Sequence, residues 1–284
     1  MNPSNANKFL KVKDYSVTKE NFELYKDVDL DLVYTHPQPL ENQLSRYYES
    51  EDYISHTDGH RSLFEKVYQL VKNRALKNKI KLINKFHRQK GNLLDIGAGT
   101  GDFLLSATKN GWNGKGIEPN AKAKAIAVKK GGSFVESTVF LHSNSFDVIT
   151  MWHVLEHIPN LDLQIKELKR LLKPNGTIFI AVPNFNSFDA KHYGSYWAAY
   201  DVPRHLWHFS TKAITILFER EELQLEKVIP MRYDAFYVSL LSEKYKTGKM
   251  NYLSAFIIGI RSNFKAKQTL EYSSHIYVIK NNKR

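Results

Sequence analysis

A chain of 284 residues, 42% hydrophobic and 25% charged, has room for one large domain or two small ones and the balance of a folded globular protein. It contains no cysteine, which excludes a disulfide framework, cysteine-ligated zinc and a cysteine nucleophile. No apolar run approaches the roughly 20 residues that span a bilayer, and the first residues lack the apolar core of a secretory signal, so a cytoplasmic protein is expected. The formal charge of +12 is uneven: residues 61–90 carry ten Lys or Arg against one acid, and residues 239–284 carry nine against two. Such segments suit an acidic ligand, nucleic acid or an anionic membrane surface, or else are solvated helix faces.

Along the chain, residues 1–60 read as an N-terminal extension that covers the core, with a loop at the prolines of 36–39. Residues 61–86 read as one basic amphipathic helix, with Phe64, Val67, Tyr68, Val71 and Ala75 at three- and four-residue spacing, leading into the core by residue 90. From residue 91 to 284 short apolar runs alternate with helical stretches. Strands are expected at 92–96, 115–117, 133–135, 146–152, 177–182, 223–229 and 274–280. Helices are expected at 102–109, 121–130, 161–172, 210–222, 234–246 and 251–262. This alternation means an open α/β sheet with parallel strands and right-handed crossovers. Residues 183–210 read as an irregular aromatic insertion.

The strongest motif is Leu93-Leu94-Asp95-Ile96-Gly97-Ala98-Gly99-Thr100-Gly101-Asp102-Phe103. An apolar strand ends in three alternate glycines and a helix begins at once, so backbone can approach a ligand closely and a helix N-terminus faces it. The spacing is G-x-G-x-G, without the third glycine position of a dinucleotide loop or the G-K-[ST] of a phosphate loop. Glu118, at the end of the next strand, can accept two hydrogen bonds from ribose hydroxyls; otherwise it is a surface acid.

LDIGAGTGDFL, GIEPN, FDVITMWHVLEHIPN and LLKPNGTIFIAVPN, in this order across residues 90–185, resemble the successive motifs of class I S-adenosylmethionine-dependent methyltransferases. The similarity is greatest to the branch with the ubiquinone-biosynthesis O-methyltransferases. The resemblance implies a Rossmann-like seven-stranded sheet, order 3-2-1-4-5-7-6, last strand antiparallel, helices on both faces, and S-adenosylmethionine as cofactor. It implies that Gly97, Ala98, Gly99 and Gly101 face the methionine part, that Asp95 lies near its amino group, and that Glu118 holds the ribose. Trp152 and His153 border the methionine, and Phe103 and Pro119 complete the cofactor set. Pro37-Gln38-Pro39 and Tyr47-Tyr48 resemble the segment that follows a zinc ribbon in related enzymes, but the cysteines are absent, so no metal is expected.

An oxygen acceptor is expected, because the Asn/Asp-Pro-Pro-Tyr motif used on nitrogen is missing after the fourth strand. The acceptor chemistry is expected from Asp201, Arg204, His205 and His208, which follow the fifth strand at the ligand-facing edge. A histidine there can take a proton and Arg204 can pair with an anionic acceptor. Their bland alternative is a rigid lid, with Asp201–Arg204 as a salt bridge and His208 capping the next helix. His157 reads as structural. The expected function is methyl transfer to a small-molecule or glycan- or lipid-type acceptor. An RNA methyltransferase and a cofactor-binding protein without turnover are the alternatives; nucleic acid is not the favoured partner, because no RNA-binding module accompanies the basic segments.

Overall fold

The computed structural model describes residues 6–48 and 63–281. The remainder of the expected 1–60 extension and the first two residues of the expected 61–86 helix lie outside the described residues. The extension is not a loose cover. β1 (Ala6–Lys13), β2 (Asn21–Asp27) and β3 (Leu32–His36) form an antiparallel meander. Period-two alternation turns Val12, Phe22, Leu24 and Val33 inward. Asp14 closes the first turn by accepting from the backbone N–H groups of Ser16, Val17 and Thr18 at 2.9, 3.1 and 2.8 Å.

α1 (Leu63–Phe86) leads into the main sheet. Its buried contact comes from Ile80 and Ile83 in the C-terminal half, whereas Val71, expected on the packed face, is exposed. Then follow β4 (Asn92–Ile96), α2 (Asp102–Lys109), β5 (Asn113–Ile117), α3 (Ala121–Lys129), β6 (Phe146–Trp152), α4 (Leu161–Leu171) and β7 (Leu172–Pro183). After them come α5 (Phe188–Tyr193), β8 (Trp207–His208), α6 (Thr211–Glu219), β9 (Leu223–Pro230), α7 (Asp234–Thr247), α8 (Tyr252–Thr269) and β10 (Ser274–Asn281). The main sheet has order β5-β4-β6-β7-β10-β9, with β10 antiparallel to both neighbours. One layer of core joins it to α4 and α6 through Ile165, Leu168, Ile214 and Phe218. The other joins it to α1 and α2 through Ile83, Phe103, Leu104 and Phe179.

Four expectations need correction. The seven-stranded sheet has six strands, because residues 133–135 make a single parallel bridge, Phe134 to Gly116, between the Gly131-Gly132 turn and polar Glu136-Ser137. The segment 173–176, expected to separate the 161–172 helix from the 177–182 strand, is not a turn. It is absorbed into β7, whose pairing with β6 shifts from Phe146–Leu172 to Val148–Thr177. The 251–262 helix runs on to Thr269, and within it Gly259 packs where a Cβ would fall 2.5 Å from the Phe236 ring.

The fourth correction matters most for function. The 183–210 insertion is ordered: it carries α5 and β8, and β8 pairs with β3 through Val33–His208 and Tyr34–Trp207. The N-terminal meander and the insertion therefore share one sheet, β1-β2-β3-β8, and one apolar cluster that includes Leu24, Tyr47, Trp197 and Tyr200.

Candidate active site

The chain leaves β4 for β5 on one side and returns to β6 on the other. That reversal opens a crevice beyond the C-terminal strand ends. Gly97 and Gly99 have φ of +70° and +54°. A Cβ on Gly97 would lie 2.3 Å from Val154, whereas one on Gly99 would meet nothing within 4 Å, so Gly99 faces open space. The loop is tied to β5 by the N–H groups of Gly97 and Ala98, which donate to the Ile117 carbonyl at 2.8 and 3.0 Å. Glu118 completes the tie. Its carboxylate accepts from the N–H of Gly99 at 2.7 Å and of Asn120 at 2.8 Å, and exposed Pro119 stands between. Gly101 is the N-cap of α2, with φ of +78°.

Asp95 lies beneath this loop, 1% exposed, and accepts from Thr150 Oγ1 at 2.6 Å. Burial pushes its carboxyl up to about 7, against the opposing pull of Thr150 and Lys79. Lys79 of α1 stands 4.2 Å from the centre of the Trp152 ring, and burial lowers its ammonium to about 8 although Asp95 and Asp234 favour the charge. Trp152 packs edge-on to Phe103 at 5.1 Å, and its buried indole N–H has no hydrogen-bond partner among the described residues. His153 takes a left-handed φ of +58°, its N–H bonded to Ala181 at 2.9 Å. Its ring lies 3.4 Å from Glu156 and 3.3 Å from Asp234 of α7. Burial disfavours its charge, but the two carboxylates prevail and raise it to about 9.

The acceptor side is assembled from distant segments. A short 3-10 turn, Leu155–His157, follows β6. The insertion is pinned to it by Leu206 N–H on the Glu156 carbonyl (2.8 Å), Trp207 Nε1 on the Ile158 carbonyl (2.7 Å) and His157 Nδ1 on the Arg204 carbonyl (3.0 Å). The His157 and His205 rings meet edge to face at 4.6 Å. His205 Nδ1 is 2.9 Å from the Ala199 carbonyl. A carbonyl only accepts, so each Nδ1 carries a proton, and a ring in its neutral form keeps its lone pair on Nε2. Glu156 is fully buried, and neither carboxylate oxygen accepts a hydrogen bond among the described residues. Burial raises its carboxyl, but the surrounding His153, His205 and His157 outweigh that and hold it below the ordinary range. Glu156, His157 and His205 place ligand-type atoms within 4.8 Å of one another, a set that can hold a cation.

Of the four residues expected to carry acceptor chemistry, only His205 has this setting. Arg204 is 3% exposed and its donors are engaged by Asp14 (3.0 Å), Asp201 (2.6 and 3.0 Å) and the Tyr47 carbonyl (2.9 Å). Arg204 and Asp201 thus fasten the insertion to the first turn of the meander, and the guanidinium is not open to an anion. His208 faces the meander from β8, 3.2 Å from Thr35 Oγ1, and burial holds it well below its ordinary value. Ser210, not His208, caps α6. Lys79, Glu156 and Asp234 carried no expectation, and His157 was read as structural. The Glu156-His157 pair stood within a quoted motif, but nothing near it pointed to His205; Lys79 and Asp234 had no sequence signal beyond a basic helix and a helix start.

The fold is that of S-adenosylmethionine-dependent methyltransferases. The chain belongs to the methyltransferase-domain family, whose model it matches over residues 65–228, more than half its length. It is 34% identical over 106 residues to the ubiquinone biosynthesis O-methyltransferase of Actinobacillus pleuropneumoniae, covering 32% of this chain and 45% of that one. It is 31% identical over 105 residues to the Cronobacter sakazakii enzyme of the same name, covering 34% and 43%. The chain thus spans less than half the length of these curated relatives. Among solved structures, magnesium protoporphyrin IX methyltransferase from Synechocystis PCC 6803 superposes with a TM-score of 0.56 at 11% identity, covering 85% of this chain and all of that one. A methyltransferase from Archaeoglobus fulgidus gives 0.51 at 16%, covering 73% and 94%.

Proposed function

We propose that the chain methylates an oxygen of a small-molecule or glycan- or lipid-type acceptor, with His205 as the group that takes the proton. The observation that carries this reading is the His205 ring, oriented by the Ala199 carbonyl and packed edge to face on His157 beside buried Glu156. The cofactor supplies the methyl group as a sulfonium when bound. This chain's Glu118, Asp95, Trp152 and the 97–101 loop would hold it, and Gly99's open side and Trp152's unpartnered N–H fit a ligand there. His205 Nε2 would take the acceptor hydroxyl's proton as that oxygen receives the methyl group. Glu156, buried beside it, stabilises the imidazolium that results. Weak similarity to O-methyltransferases supports the oxygen preference. Labelled S-adenosylmethionine offered with a panel of hydroxyl, amine and RNA acceptors tests it. Transfer to hydroxyls that is lost in His205→Ala is the expected result; transfer to amines or RNA alone would overturn it.

One observation favours a second reading, a divalent cation held by Glu156, His157 and His205 that orients the acceptor oxygen. Both Glu156 oxygens are buried and accept no hydrogen bond among the described residues, and each histidine is oriented through Nδ1 by a backbone carbonyl, as metal ligands are. A chelator leaves turnover intact under the first reading and abolishes it under the second.

A further inference from the structure

We propose that the outer face of α8 is a docking surface for an anionic lipid bilayer. The helix has two apolar faces, and among the described residues only one is packed. Ala255, Ile258, Gly259, Ser262 and Ala266 face inward, with Gly259 against Phe236 and the Ser262 hydroxyl donating to buried Asp189 at 2.6 Å. On the other side Leu253, Phe256, Ile260 and Phe264 recur at three- and four-residue spacing and are 71, 56, 47 and 62% exposed. A run of large apolar side chains left in water on a well-packed helix marks an interaction surface.

The charge around it selects the partner. α8 contains Arg261, Lys265 and Lys267 and no acid. Lys246 and Lys249 flank it, exposed, at the end of α7. Between residues 239 and 269 the single acid is Glu243, which is buried and accepts from Tyr193 (3.0 Å) and Ser254 (2.6 Å). Between α5 and α8 a groove of about 340 Å³ is lined by Phe188, Ile260, Arg261, Phe264 and Lys265, an apolar floor beneath two cations. That pairing matches a lipid phosphate above its acyl chain. Among the described residues no helix is long and apolar enough to cross a membrane, so α8 lies on the surface. The hairpin also reaches the crevice: α7 starts at Asp234, which contacts His153. The docking surface does not depend on the acceptor proposed above.

Co-sedimentation of the full chain with vesicles tests the proposal. Binding to phosphatidylcholine vesicles containing about one third phosphatidylglycerol is expected to be roughly tenfold or more tighter than to phosphatidylcholine alone. Raising salt from about 0.1 to about 1 M shortens the screening length from about 10 to about 3 Å and should weaken it. Leu253→Glu combined with Phe256→Glu and Phe264→Glu should remove vesicle binding while S-adenosylmethionine affinity is retained, because these side chains are exposed and away from the cofactor loop. Equal binding to both vesicle types, or undiminished binding by the triple variant, overturns the proposal. So does a wild-type dimer, without vesicle binding, that the triple variant dissolves, which would make the face a contact between copies of the chain.

Discussion

The cofactor edge and the acceptor edge of the crevice are built in opposite ways. Asp95, the glycine loop and Glu118 fall within 24 consecutive residues, and backbone N–H groups tie them together. The acceptor edge joins Tyr48, His157 and the 199–208 segment, and Arg204 must reach Asp14, 190 positions away, to hold the insertion in place. A ligand common to many enzymes is met by a short local motif. An acceptor surface particular to one enzyme is met by tertiary contacts, each costing loop closure and ordering that other contacts must offset.

Changing the acceptor edge should separate the two edges most sharply. His205→Ala is expected to cut turnover by roughly 10²–10⁴-fold, with S-adenosylmethionine affinity by calorimetry unchanged. Equal losses in turnover and cofactor affinity would mean that the edges are one unit. Arg204→Ala attacks the fastening itself. It strands the buried Asp14 carboxylate, and stability should fall by about 3–5 kcal/mol in a denaturant titration. The local loop–Glu118 tie would leave cofactor binding largely intact in whatever fraction stays folded.

This asymmetry also explains which parts were legible in the sequence. Alternating strands and helices, the glycine loop and Glu118 follow from periodicity and nearest-neighbour backbone geometry, so composition and spacing carry them. β8 has only two residues, and its pairing with β3 depends on a partner more than 170 positions away, so no local pattern announces it. His208 and Arg204 looked chemically active because histidine and arginine cluster in the loop. Only their burial, and the identity of the groups that fill their hydrogen bonds, distinguishes a fastening from a reactive group. Residues 133–135 illustrate the opposite failure: Ser133-Phe134-Val135 reads as a strand, but a glycine pair and polar residues on either side leave room for one bridge.

On the cofactor edge the expected effects are smaller and confined to binding. Glu118→Ala removes the acceptor of the Gly99 N–H and of the proposed ribose hydroxyls. Affinity for S-adenosylmethionine and its demethylated product should weaken by about 1–3 kcal/mol, with turnover at saturation nearly unchanged. A drop in saturated turnover larger than the drop in affinity would show that the loop positions the reacting carbon as well as holding the nucleoside.

Asp95 gives the gentlest test, because pH can replace mutation. Its folded-state carboxyl titrates near 7, above the ordinary carboxylate range. The folded chain therefore holds a proton that the unfolded chain has already released between about pH 4 and 7, and in that window this residue makes stability fall as pH rises. Ligand binding has the opposite sign. If the carboxylate meets the cofactor's ammonium, only the ionised form binds well, and that form grows about tenfold between pH 6 and pH 8 for a group titrating near 7. S-adenosylmethionine affinity should rise by about that factor over the same interval, with a proton released on binding. Asp95→Asn should flatten the profile at the weak end, while Thr150→Val, which removes the 2.6 Å hydrogen bond that favours the carboxylate, should shift its midpoint upward. A wild-type profile that is flat from pH 6 to 8 would place the ammonium elsewhere in the crevice and return Asp95 to a purely structural part beneath the loop.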